Sequence, residues 1–212
     1  MTNTLDPAWL IVGEDSWPTF ILAHGAGAPM DTPFMNAIAE GLAANKIRVI
    51  RFEFDYMAKR REDGKKRGPN TQKLLLKTWR DTIEASGIDP SALYIGGKSM
   101  GGRMASMIAD ELGVKGLVCL GYPFHPTGKP EKLRTAHLEE LETPALFCQG
   151  ERDAFGTKEE VATYTLADTI QMAWLTDGDH SFKPRKRSGT TLEANLADAV
   201  TAITSFIHSN RA

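Results

Sequence analysis

Apolar residues along this chain fall in short blocks that stop at glycine or proline, and longer amphipathic stretches fill the gaps between them. The block 19–23 (TFILA) ends at His24-Gly25-Ala26-Gly27-Ala28, and 47–54 (IRVIRFEF) alternates with β-branched or aromatic residues at most inward positions. Blocks 93–95, 116–120, 145–148 and 172–175 end at Gly96-Gly97, Gly121-Tyr122-Pro123, Gln149-Gly150 and Asp177-Gly178-Asp179-His180. These lengths and stops predict strands. Helical periodicity covers 34–44, 70–86, 100–112, 158–165 and 191–210, with Asn70 and Thr71 as N-cap residues and Gly87 and Gly113 as C-terminal stops. Strands alternating with helices predict an α/β fold with a mostly parallel central sheet and helices on both faces. Right-handed crossovers then gather the strand ends on one edge, where open α/β sheets bind ligands. The segment 121–143 is irregular, with three prolines, and is too short to form a lid domain.

Composition narrows the class. A chain of 212 residues, 42% apolar and 25% charged, suits one globular domain over 1–212. A chain of this size buries roughly 70% of its unfolded surface. The net charge of −2 argues against a nucleic-acid partner that covers the whole surface. No apolar run approaches the roughly 18 residues of a membrane span. The segment Met1 to Asp15 shows neither the basic nor the apolar region of a secretory signal, so the expected location is cytoplasmic. Cys119 and Cys148 each sit in an apolar strand-like run and read as buried free thiols. No cysteine–histidine spacing suggests zinc, and neither metal nor organic cofactor is expected.

The chemistry concentrates at the predicted strand ends. Gly97-Lys98-Ser99-Met100-Gly101 fits G-x-S-x-G between a strand and a helix, the context of a nucleophile elbow. There the serine takes a strained backbone conformation, and the flanking glycines avoid collision with neighbouring elements. The rival reading is a P-loop ending Gly97-Lys98-Ser99. It places Ala92-Leu-Tyr-Ile, a buried strand, where a phosphate-cradling loop is required. A serine hydroxyl needs a base. Of the five histidines, His180 follows a strand and comes after an acid, Asp153, which itself follows a strand. His125 precedes any such acid, while His137 and His208 lie on amphipathic segments. Asp177 and Asp179 rival Asp153, but as near neighbours of His180 they reach its Nδ1 awkwardly. Ser99, Asp153 and His180 are therefore the candidate triad. The backbone N–H groups of Met100 and Ala26 are the candidate oxyanion hole, with Gly25 possible in place of Ala26, and His24 reads as a residue that orients this glycine loop.

With these motifs in order, the chain resembles the α/β-hydrolase superfamily, with elements similar to dienelactone hydrolases and small carboxylesterases. It also resembles a compact group of bacterial hydrolases related to the hydrolase-like domain of an animal histone-acetyltransferase complex subunit. That narrower resemblance rests on Phe52-Glu53-Phe54-Asp55-Tyr56-Met57, Gly96-Gly97-Lys98-Ser99-Met100-Gly101-Gly102-Arg103, Gly121-Tyr122-Pro123-Phe124-His125-Pro126, Gln149-Gly150-Glu151-Arg152-Asp153 and Gly178-Asp179-His180-Ser181-Phe182. It implies cleavage of an ester, thioester or related acyl bond of a small molecule. Animal relatives that act as scaffolds leave a second reading, an idle interaction module on the same fold.

Two basic clusters complete the picture. Lys59-Arg60-Arg61 with Lys65-Lys66-Arg67 reads as a loop after the strand that ends near Phe54, and Lys183, Arg185, Lys186 and Arg187 follow His180. They read either as solvated loops or as a field that attracts an anionic substrate.

Overall fold

A computed structural model describes residues 9–210, so much of the 1–15 segment inspected for a targeting signal lies outside the described residues. Its centre is a seven-stranded sheet. The strands are β1 (Leu10–Val12), β2 (Thr19–Ala23), β3 (Arg48–Phe52), β4 (Leu93–Lys98), β5 (Gly116–Leu120), β6 (Ala145–Gly150) and β7 (Ile170–Leu175). Their order across the sheet is β1-β3-β2-β4-β5-β6-β7, with every pairing parallel except that of β1 with β3. All residues of β2, β5 and β6 are buried, as expected of parallel strands covered on both faces.

Helix α1 (Pro33–Ala44) starts where the Thr32 hydroxyl accepts from the Met35 N–H and Pro33 takes the first turn. Its Met35, Ile38, Ala39 and Leu42 repeat at helical spacing and are buried. They share one core with Ile203, Phe206 and Ile207 of α7 (Leu192–Ser209). On the other face, Trp79 and Ile83 of α3 (Gln72–Ala85) share a core with Met104 and Ala105 of α4 (Met100–Ser106). Among the described residues, no helix is long and apolar enough to cross a membrane.

Four local expectations change. Residues 55–63, read as loop, form helix α2 (Asp55–Asp63), which carries Lys59, Arg60 and Arg61 and ends at Gly64 with φ of 70°. Only Tyr56 and Met57 of α2 are buried, so it lacks an apolar stripe to read. The helix expected over 100–112 breaks at Met107–Ile108 into α4 and α5 (Ala109–Leu112). The one expected over 158–165 is the single turn α6 (Lys158–Val161). It is capped reciprocally by Thr157 and Glu160, and the Thr163 hydroxyl then bonds back to the Glu160 carbonyl. Asn70, read as an N-cap, instead accepts from the Tyr56 N–H. Strand β1, half exposed and three residues long, gave no pattern to detect.

Candidate active site

The strand order reverses direction between β2 and β4, and the loops leaving these two strands form the centre of the carboxyl edge. This is the switch point at which open α/β sheets place ligands. The loop after β2 carries His24 to Ala28, and Ser99 follows β4 immediately.

Ser99 has φ of 51° and ψ of −114°, a conformation that costs a non-glycine residue about 1–3 kcal/mol. Glycine neighbours make it sterically feasible. A Cβ at Gly97 would lie 2.4 Å from the Ala23 carbonyl oxygen, and one at Gly101 would lie 2.6 Å from that of His24. Asp177 and Phe182, on either side of His180, also have positive φ, 50° and 67°. Among the described residues three of the four non-glycine positions with positive φ thus sit at the serine or frame the histidine, so backbone strain gathers at this edge.

The Ser99 hydroxyl lies 2.9 Å from His180 Nε2, and His180 Nδ1 lies 2.7 Å from Asp153 Oδ2. Asp153 is fully buried. Its Oδ1 accepts from the Phe155 N–H at 2.9 Å, and its Oδ2 also accepts from Gln149 Nε2 at 3.0 Å. Gln149, itself fully buried, accepts from the Tyr122 N–H and donates to the Tyr122 and Gly156 carbonyls. The carboxylate is therefore fixed from two directions before it meets the imidazole. The Phe155 ring packs 4.4 Å from the imidazole centroid.

The rival acids are occupied elsewhere. Asp177 pairs with Arg152 and Arg185, and Arg185 above all holds its carboxyl down at about 2. Asp179 Oδ1 accepts from the Ser181 and Lys183 N–H groups. The loop that carries His180 is anchored from α7, where buried Asn195 donates to the Thr176 and Phe182 carbonyls at 3.0 and 2.7 Å.

His24 serves the glycine loop. Its Nε2 accepts from the Phe54 N–H, so its Nδ1 carries the proton and donates to the Gly25 carbonyl at 2.6 Å. Burial pushes this imidazole below the usual histidine range, which keeps it neutral. Tyr56 Oη donates to the Ala26 carbonyl at 3.0 Å. Both carbonyls are thereby held on the protein side of the loop.

A cavity of about 480 Å³ opens beside Ser99 and His180, lined by Ala26, Ala28, Pro29, Phe34, Met35, Lys98 and Phe155 among others. Among the described residues, no group of three or more His, Cys, Asp or Glu side chains is arranged to hold a metal ion.

The alpha/beta hydrolase domain family matches residues 16–208. The chain belongs to the α/β-hydrolase family. Several solved structures share the fold of this α/β-hydrolase at low identity. An alpha-beta serine hydrolase homologue from Coxiella burnetii superposes with a TM-score of 0.65 at 16% identity, covering 96% of this chain and 91% of that one. A dienelactone hydrolase from Anabaena variabilis gives 0.63 at 18%, with coverage of 93% and 87%. A serine hydrolase without lid from Xanthomonas campestris gives 0.62 at 17%, with coverage of 97% and 90%.

The hydrolase brings together Ser99, Asp153 and His180, the residues singled out from the sequence, and places Ala26 on the cavity wall with Ser99. Gln149, Asn195 and Lys98 escaped the sequence reading. Gln149 and Asn195 left one available signal, a polar residue at the end of a buried strand or on the buried face of a helix. The basic clusters are partly neutralised. Arg61 pairs with Asp31 and Glu53, Arg67 with Asp63, and Arg185 with Asp177. Cys119 and Cys148 are free and buried, and burial raises both thiols, Cys148 to about 12.

Proposed function

We propose that this single-domain α/β-hydrolase is a serine esterase or thioesterase that works through Ser99, His180 and Asp153. The observation that carries this reading is the hydrogen-bonded chain from the Ser99 hydroxyl through both imidazole nitrogens to a buried carboxylate. His180 takes the proton of Ser99 as the hydroxyl oxygen attacks the acyl carbon, and Asp153 stabilises the imidazolium that forms. The tetrahedral oxyanion is held by the Met100 N–H, at the start of α4 where the helix dipole favours negative charge, and by the Ala26 N–H. A trans peptide directs its N–H opposite to its C=O, so the bonds of His24 and Tyr56 to the Gly25 carbonyl turn the Ala26 N–H away from them. The leaving alcohol or thiol takes its proton from His180. Water then attacks the acyl-enzyme by the same route in reverse.

The cavity volume lies within the range of about 300–1,000 Å³ typical of small-molecule sites, and its apolar wall suits a short or medium acyl chain. The buried free thiols suit a reducing compartment, and we assign the protein to the cytoplasm on that basis. An idle scaffold, as the resemblance to the histone-acetyltransferase subunit allows, has no need of a strained serine aligned with a base. A fluorophosphonate probe separates the two readings: covalent labelling at Ser99 supports the hydrolase, and inert wild-type protein overturns it.

An anionic substrate is the finer reading of the basic clusters. With three arginines paired internally, it rests on the remainder, of which Arg60 reaches toward the Gly27 carbonyl at the cavity rim at 3.4 Å. Such attraction is screened over about 8–10 Å at physiological ionic strength. The expected result is that kcat/KM for a carboxylate-bearing ester falls as salt rises while that of a neutral ester of equal size holds, and that Arg60→Ala removes the difference. Equal salt responses would make the clusters solvated surface.

A further inference from the structure

Lys98 fills the unspecified position of the G-x-S-x-G motif, and sequence gives it no role. In the structure its ammonium group is enclosed at the site. Nζ donates to the His180 backbone carbonyl and lies 5.4 and 5.8 Å from the ring centroids of Phe34 and Phe182. Both distances are within the cation–π range. Among the described residues no carboxylate lies within ion-pair distance of it, whereas Arg67 and Arg185 each have one and Arg61 has two. Gly121 reports how close this charge comes to the base. A Cβ added there would lie 2.8 Å from Lys98 Nζ and 3.3 Å from His180 Nδ1, so ammonium and imidazole crowd the same side of one glycine.

We propose that Lys98 is a positioning residue for His180: its ammonium pins the His180 main chain and so holds the imidazole in register with Ser99. The inference rests on the triad reading above. The pinning follows from a hydrogen bond to a cationic donor, which is roughly twice as strong as one between neutral groups. It acts on a loop whose backbone is strained at Asp177 and Phe182 and needs holding. Asp153 and Asp179 act on this ammonium in the direction that keeps it charged, and burial draws it down to about 8 against their pull.

The test follows the rate of fluorophosphonate labelling at neutral pH in the wild type, Lys98→Met, Lys98→Arg and Ser99→Ala, with circular dichroism to establish that each is folded. Lys98→Met is expected to label about 10-fold more slowly, because a neutral side chain leaves the His180 carbonyl without its cationic donor. Lys98→Arg keeps a cationic donor and is expected to recover most of the wild-type rate. A wild-type rate in folded Lys98→Met, or no recovery in folded Lys98→Arg, alongside a wild type that labels and a Ser99→Ala that does not, would overturn the role of Lys98 and leave the triad standing. Labelling of Ser99→Ala at the wild-type rate would instead overturn the triad, and this inference with it. An unfolded Lys98→Met leaves Lys98→Arg to decide: a rate lowered about 10-fold or more in that folded, still cationic variant also overturns the role.

Discussion

Ser99→Ala is expected to lose turnover of p-nitrophenyl esters by about 10⁴–10⁶-fold, the scale on which removal of a serine nucleophile acts when its partners remain. The same variant is expected to stay folded with an unchanged melting profile. Among the described residues the Ser99 hydroxyl has one side-chain partner, His180, and Ser99 lies on the wall of an open cavity. It adds nothing to either core, and alanine takes the same backbone conformation at the same cost. Residual activity of this size is what the oxyanion donors and substrate binding supply alone. Full activity in a purified Ser99→Ala preparation would sink the assignment of the nucleophile, whatever the fold.

The second large effect belongs to the acid. Among the described residues all three partners of the Asp153 carboxylate are donors: the Phe155 N–H, Gln149 Nε2 and His180 Nδ1. Asparagine offers one oxygen and one NH₂, so Asp153→Asn forces an N–H against a donor somewhere in a fully buried site. Where the amide nitrogen faces His180, the ring must move its proton to Nε2, which then donates to Ser99 and no longer serves as a base. The expected loss in kcat is roughly 10⁴-fold. Asp179→Asn is the informative comparison. The acceptor Asp179 Oδ1, which caps the Ser181 and Lys183 N–H groups, survives in the amide, so this variant is expected to keep most of its activity. Should Asp179→Asn be crippled and Asp153→Asn spared in steady-state kinetics, the acid assignment is wrong.

Much of this architecture is legible in the sequence because its signals are local. Five of the six central strands end in glycine or proline punctuation, and the elbow glycines at 97 and 101 are demanded by carbonyls only 2.4 and 2.6 Å from where a side chain would begin. Chain order then selects Asp153 and His180. What stayed hidden depends on distant partners. Helix α2 has no apolar period, because it is held by Arg61 pairing with Asp31 and Glu53, by its terminal Asp63 pairing with Arg67 and by capping at Gly64, with little core burial. Gln149 is aimed at Asp153 by the Tyr122 N–H and His24 at the glycine loop by the Phe54 N–H, and these long-range bonds close only once β5 lies beside β6 and β3 beside β2. Lys98 is opaque for a further reason: the motif assigns its position to any residue, and only the folded His180 loop shows what the ammonium meets.

The anchoring of the His180 loop by Asn195 has a temporal consequence. A chain growing from its N-terminus holds the serine and the acid before it holds α7, yet the carbonyls of Thr176 and Phe182 on either side of the base wait for a donor on that helix. The loop between them, already tied to Asp153 and Lys98, lacks this further tether until α7 docks against α1 and the sheet. On the triad reading, catalytic competence is expected only once α7 has docked, and the nascent chain is expected to be silent toward acyl esters and thioesters until then. Stalled chains of increasing length exposed to a fluorophosphonate probe provide the measure: labelling should begin abruptly once α7 has emerged, and labelling of chains that end before Leu192 would show that the loop organises without it.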